Sequence, residues 1–192
     1  MRHSPIFIRL YAGFAIVILF SILIVGLMVQ RQIEQASLRD IRNNLSSQGF
    51  ILQQSFANIG NQNQQQIQHT VEKIGRRIDT RITLLTVNGV VIADSEFNPE
   101  DMDNHLYRPE IIAANESQVG YSKRYSETLK RPMLYAAISA MTNDSDVGYI
   151  RTALSTQRID EEINYLRRVI ITAASLTGII ALFIGYWLAM SF

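Results

Sequence analysis

Two stretches of the chain run without a charged side chain for the thickness of a lipid bilayer. Residues 10–29 (LYAGFAIVILFSILIVGLMV) form the first, 20 residues long, and residues 169–190 (VIITAASLTGIIALFIGYWLAM) the second, 22 residues long. A helix rises about 1.5 Å per residue, so roughly 20 apolar residues cross the ~30 Å hydrocarbon layer. Both stretches predict membrane-spanning helices. The first is too long for the core of a signal peptide, usually about 7–15 residues, and no A-x-A cleavage pattern follows it. The second carries Tyr186 and Trp187 at one end, where amphipathic rings favour a headgroup boundary. Its Gly178 and Gly185 are residues that membrane helices use more often than soluble ones do.

Between these stretches the hydrophobic period changes twice. From Gln30 to about Ile59, Leu38, Ile41, Leu45, Leu52, Phe56 and Ile59 recur at helical spacings, with Gln48 between them. Gly60 interrupts the pattern. The polar tract Asn61 to Gln66 (NQNQQQ) reads as an exposed cap and first turn, and Ile67, Val71, Ile74 and Ile78 mark one face of a second helix. At Arg81 the period shortens to two. RITLLTV and VVIAD form two predicted strands, and the Asn88-Gly89 pair between them is a type I′ hairpin signal. An acidic loop follows, from Ser95 to Asn104. Arg108-Pro109-Glu110 opens a short helix, because proline suits the first helical position. Three more strands are predicted at 120–126, 133–140 and 148–155, joined by polar turns at Thr128-Leu129-Lys130 and Asn143-Asp144-Ser145. From about Thr156, Ile159, Ile163, Leu166 and Ile170 step by four, three and four, a heptad seam that runs into the second apolar stretch. The expected fold class is therefore α+β: a five-stranded antiparallel sheet with long flanking helices, bracketed by two transmembrane helices. The expected divisions are a tail at 1–9, a span at 10–29, a water-facing domain at 30–168, a span at 169–190 and a short end at 191–192.

Composition narrows the function classes. Residues 30–168 hold 16 basic against 17 acidic side chains, a formal charge of −1, without the basic stripe of a nucleic-acid binder. Cysteine is absent, which removes thiol chemistry and cysteine-based metal sites. Arg2 and Arg9 before the first span favour a cytoplasmic N-terminal tail, whereas the 139 residues between the spans are too long for the positive-inside rule to govern. The expectation is an extracytoplasmic central domain in the inner, or cytoplasmic, membrane.

Catalytic signatures are missing: there is no G-x-S-x-G elbow, no P-loop, no H-E-x-x-H and no G-x-G-x-x-G. His3, His69 and His105 are scattered, and His105 reads as a capping or hydrogen-bonding loop residue rather than a metal ligand. No metal site, cofactor or enzymatic activity is expected of this chain. Asp94, Glu96, Glu100, Asp101 and Asp103 lack the spacing of a calcium-binding loop and read as a solvated acidic loop. Arginines of opposite character cluster along the strands, and their forked guanidinium groups suit carboxylates and phosphates. With the strand tyrosines they make Arg108, Arg124, Tyr125, Tyr135 and Arg151 the candidate ligand-binding residues, for a small anionic ligand; ordinary tyrosine packing and charged strand surfaces explain the same residues.

The order of elements resembles the extracytoplasmic PAS-like (PDC, or Cache-type) sensors of bacterial two-component systems. The segments MDNHLYRPEI, at 102–111, and RYSETLKRPMLYAAI, at 124–138, resemble those of phosphate-regulon sensor histidine kinases of PhoR type, and the strand GYIRTALS leading into the last helix fits too. The resemblance implies a homodimer in the membrane that detects a small ligand or a partner protein. It also implies a longer relative, in which a HAMP linker, a phosphorylated histidine and an ATP-binding domain follow; this sequence ends at Phe192, so no kinase residue is assigned. The helix seams, Leu38, Ile41, Leu45 and Leu52 in the first and Ile159, Ile163 and Leu166 in the last, are the expected dimer and signalling surfaces. The alternatives are a free-standing membrane regulator that interacts with other proteins, and the input module of a chemotaxis receptor or a cyclic-dinucleotide enzyme.

Overall fold

A computed structural model describes residues 5–56, 63–127, 129–140 and 147–191, with side chains from 11 to 187 within those ranges. Four α-helices and five strands follow one another as α1 (Pro5–Phe56), α2 (Gln64–Ile78), β1 (Arg81–Leu85), β2 (Val91–Asp94), α3 (Pro109–Ser117), β3 (Val119–Ser126), β4 (Arg131–Ser139), β5 (Tyr149–Ser155) and α4 (Gln157–Ser191). Ile59, Asn61, Thr128, the 143–145 turn and His3 lie outside the described residues. The chain divides into two compact units. One combines α1 up to Ser37 with α4 from Arg158; the other runs from Leu38 to Gln157.

The first unit is a pair of helices, each long and apolar enough to cross a membrane by length and composition. They run antiparallel: Gly26 lies against Ile170, Leu19 against Gly178, and Tyr11 against Gly185. Glycine at these contacts lets the backbones approach, as small residues do where lipid supplies no hydrophobic drive between helices. The Tyr11 hydroxyl donates to the carbonyl of Ala181. In this unit Ile163 is buried and Ile159 and Leu166 are half-buried.

In the second unit the five strands form one antiparallel sheet in the order β2-β1-β5-β4-β3. One face is apolar. Ile82 and Leu84 of β1, Ala93 of β2 and Ile150 of β5 pack against Leu52 and Phe56 of α1 and Ile67 and Val71 of α2. Leu134 and Ala136 of β4 receive Leu45, Leu38 and Ile41. Gly49 brings α1 against Ile138, and the buried Thr152 hydroxyl donates to the α1 carbonyl of Leu45 at 3.0 Å. The α1 seam expected to pair between two chains thus faces inward. Leu45 and Leu52 are buried in their own chain because the sheet offers a continuous apolar surface at helical spacing.

The hairpin between β1 and β2 also differs from expectation. Gly89 has φ 77°, the only positive φ in the turn, and its amide bonds the Thr86 carbonyl while the Thr86 amide bonds that of Val90. This is a three-residue loop closed by a left-handed glycine, where a type I′ turn needs two left-handed residues. The space beside Gly89 is filled by Asn104 and Leu106, whose loop is tied down by the Asn104 side chain donating to the Asn88 carbonyl at 2.8 Å.

Candidate ligand-binding site

The other face of the sheet is polar at its centre, and strand alternation puts it there. Arg81 and Thr83 alternate with the core residues Ile82 and Leu84, so they emerge on the opposite side. The register aligns Asp94, Thr83, Arg151, Ala137 and Gly120 in one row across β2, β1, β5, β4 and β3. The next row holds Arg81, Ala153, Tyr135 and Ser122, and the one beyond it Met133 and Arg124. Helix α3 covers Gly120 so closely that a Cβ there would collide with the Glu110 carbonyl and the Ala114 amide.

Two charge groups fill this face. In the first, Arg81 Nε donates to both oxygens of Asp94 at 3.1 and 3.0 Å. The Thr83 hydroxyl donates to the same carboxylate at 2.7 Å, and the backbone amides of Glu96 and Phe97 at 2.9 and 3.0 Å. Phe97 lies over the Arg81 guanidinium, 5.3 Å from its ring centre. In the second, Glu110 on the first turn of α3 accepts from Arg124 Nη2 at 2.9 Å and from Arg151 Nη1 at 3.5 Å. Both arginines lie over the ring of Tyr135, at 4.1 and 5.0 Å. Thr83 joins the groups, accepting from Arg151 Nη2 at 3.0 Å.

Asp94, Glu110, Arg81 and Arg151 are each at most 2% exposed. Burial alone pushes the Glu110 carboxyl up, but the hydrogen bond from Arg124 and the charge of Arg151 outweigh it and hold it below the usual carboxylate value. Burial pushes the Arg151 guanidinium down to about 10, even with Glu110 beside it. Arg151 Nε and Arg81 Nη2 are buried without a hydrogen-bond partner. His105 is buried next to this group. Its Nδ1 is assigned the proton, since it lies 2.6 Å from the Asp103 carbonyl, which only accepts. Burial, with the charges of Arg151 and Arg108, lowers its pKa to about 4, so the ring is neutral at pH 7.

Of the residues expected from sequence, the structure brings Arg124, Tyr135 and Arg151 together. Arg108 stands at the N-terminus of α3, half-buried, its charge felt at His105. Tyr125 does not join them. It pairs with Pro132 one position along the strand from Arg124, so it faces the other side of the sheet and is 53% exposed. Asp94, read as part of a solvated loop, is instead fully buried, because Arg81 and two loop amides hold it. Arg81, Thr83, Glu110 and His105 were not singled out as site residues. The polar 81 and 83 alternating with the apolar 82 and 84 were the available signal; nothing local marked Glu110, whose partners are 14 and 41 residues away.

The family model described as "Single Cache-like" matches residues 35–157. No curated protein matches the chain by sequence. Among solved structures, the sensor domain of E. coli DcuS is 14% identical with a TM-score of 0.51, over 67% of this chain and 98% of that one. The ligand-binding domain of the Campylobacter jejuni chemoreceptor Tlp3, in complex with 4-methylisoleucine, is 14% identical with a TM-score of 0.53, over 76% of this chain and 63% of that one. That of Mlp24, with asparagine, is 12% identical with a TM-score of 0.52, over 73% and 61%. The chain thus spans less than two thirds of either chemoreceptor domain, and identities this low establish the fold alone. The likeness is to Cache-type sensors as a class; the phosphate-regulon type expected from residues 102–111 and 124–138 finds no support in it.

Proposed function

The chain belongs to the single Cache-like family, and from that premise we propose that it is the extracytoplasmic input module of a membrane-bound sensor histidine kinase, acting by binding rather than by catalysis. The observation that carries the reading is the meeting of Arg124 and Arg151 on Tyr135, on the polar face of a Cache-type sheet. Its ligand is a small anion with a carboxylate. Three buried or half-buried arginines face two buried carboxylates there, and His105 adds no charge at pH 7. Guanidinium forks suit carboxylates, and an aromatic ring between them favours an organic acid over a bare ion.

A chemoreceptor input is the second reading, favoured by the likeness to the Tlp3 and Mlp24 domains, whose bound ligands are α-amino acids and so carry a carboxylate. In either setting the module signals as a homodimer through its spans. Because the α1 seam faces inward, pairing uses the outer side of that helix, where Phe50 and Ile51 are exposed. A partner protein in place of a small ligand is the outcome in which no small molecule binds.

Two measurements test this. The full chain in detergent micelles is screened by thermal shift against α-amino acids and small organic acids, alongside Arg151→Gln and Tyr125→Ala. A stabilising ligand is expected, lost in Arg151→Gln and kept in Tyr125→Ala; a ligand indifferent to Arg151 overturns the site. Tyr107 is 83% exposed and the chain has no cysteine, so Tyr107→Cys offers a unique label. A membrane-impermeant maleimide is expected to modify it in intact cells, and labelling only after lysis contradicts the orientation.

A further inference from the structure

Resting on the reading that this face takes a carboxylate, we infer that Glu110 is a tethered stand-in for the ligand, and that the ligand's carboxylate displaces it from Arg124 and Arg151. The two buried carboxylates are held in different ways. Asp94 is locked by Arg81, the Thr83 hydroxyl and two backbone amides, groups that a ligand has no means of moving singly. Glu110 is held by its own amide and by two arginine side chains, Arg124 donating from Nη2 to Oε1 at 2.9 Å and from Nε to Oε2 at 3.5 Å, and Arg151 from Nη1 to Oε1 at 3.5 Å. Those are the donors a free carboxylate would seek.

Charge points the same way. Asp94 serves Arg81, which leaves Arg124 and Arg151 with one carboxylate between them. Arg151 reaches Glu110 only at 3.5 Å and its Nε is buried without an acceptor, so a carboxylate free to reorient satisfies more of Arg151 than Glu110 does from its fixed place on a helix. Arg108, half-buried at the start of the same helix, adds positive charge felt at the neighbouring His105. Cations and neutral ligands gain nothing from this arrangement, whereas an anion relieves it.

The exchange has a structural consequence because Glu110 is the second residue of α3. Its side chain ties the first turn of α3 to β3 and β5 through Arg124 and Arg151. Once the ligand holds the arginines, a buried carboxylate without partners must leave for water, and the first turn of α3 goes with it. Binding is thereby coupled to a movement of one helix on the sheet, which is what a differential affinity for two arrangements requires.

The test uses the full chain in detergent micelles with sodium acetate as the carboxylate probe, against sodium chloride at equal ionic strength. Glu110→Gln keeps the shape of the side chain but removes its charge, and charge-assisted bonds to guanidinium are about twice as strong as neutral ones. An intramolecular competitor acts at an effective concentration on the order of millimolar or above. Removing it is therefore expected to lower the acetate concentration that half-saturates the thermal shift by at least about tenfold. In the wild type, acetate is expected to speed amide hydrogen exchange in 109–117. If Glu110→Gln binds acetate no better than wild type, the exchange is overturned. In that case Arg151-dependent binding in the wild type leaves the ligand site standing, while its absence removes both. Should Glu110→Gln fail to fold, Glu110→Asp draws the same carboxylate back by one methylene. It is expected to bind acetate more tightly than wild type, and equal affinity overturns the proposal.

Discussion

Asp94→Asn is the substitution that most directly probes the buried charge on the polar face. In the wild type the Asp94 carboxylate accepts five contacts from four donors: Arg81 Nε at 3.1 and 3.0 Å, the Thr83 hydroxyl at 2.7 Å, and the amides of Glu96 and Phe97 at 2.9 and 3.0 Å. An asparagine of the same shape keeps one oxygen and turns an NH₂ group toward donors. Arg81, 2% exposed, is left as a buried cation with no carboxylate. Removing one partner of a buried pair costs about 3–5 kcal/mol, because the other charge stays desolvated. For a unit of this size that corresponds to a drop in melting temperature on the order of 10 °C. Differential scanning calorimetry of the full chain in micelles measures it. The double variant Arg81→Met/Asp94→Leu separates charge burial from packing: with both charges gone it is expected to melt above Asp94→Asn. An Asp94→Asn protein that melts within about 2 °C of wild type refutes the reasoning. So does a double variant whose loss equals the sum of the two single ones.

Two further predictions follow from the same face. His105 takes its proton near 6.5 in the unfolded chain but only near 4 when folded. Its contribution is therefore fully present above pH 6.5 and is lost as pH falls toward 4, by at most about 3 kcal/mol. Melting temperatures between pH 7 and 4.5 are expected to fall in wild type and to flatten in His105→Gln, and an unchanged slope in the variant assigns the loss to other groups. Below that window Glu110, whose folded pKa is depressed, adds its own loss as it protonates. Gly120→Ala sets a methyl group against the Glu110 carbonyl and the Ala114 amide. Since backbone is what it meets, α3 must shift, with an expected cost of about 1–3 kcal/mol. A variant as stable as wild type, by the same calorimetry, means that α3 sits less tightly on β3 than this contact implies.

Much of the fold was legible because it depends on local period. The change from helical spacing to alternation at Arg81, the proline at the start of α3 and the unbroken apolar runs each mark an element within a few residues of where it occurs. Asn88-Gly89 locates the hairpin but not its geometry: a glycine announces a left-handed residue without saying whether its neighbour is one. The seam of α1 is apolar as its spacing indicates, and Leu45 and Leu52 meet the sheet of their own chain. A helical stripe declares that something covers it, and both a sheet and a second helix satisfy that demand.

The site divides along the same line. Arg124, Tyr135 and Arg151 stood out in sequence as residues whose chemistry suits an anion, and alternation alone already placed Tyr125 on the opposite face from Arg124. Composition, charge pattern and apolar length, all properties of neighbouring residues, were enough to determine a five-stranded α+β domain between two candidate spans and to nominate arginines for recognition. Only the tertiary structure decided which charges meet. The order β2-β1-β5-β4-β3 sets Asp94 and Thr83 in one row with Arg151, while α3 folds over to deliver Glu110 from the opposite side. A carboxylate in the interior is tolerable only beside its cation. That pairing joins residues 13 to 41 positions apart, a distance over which no sequence period extends.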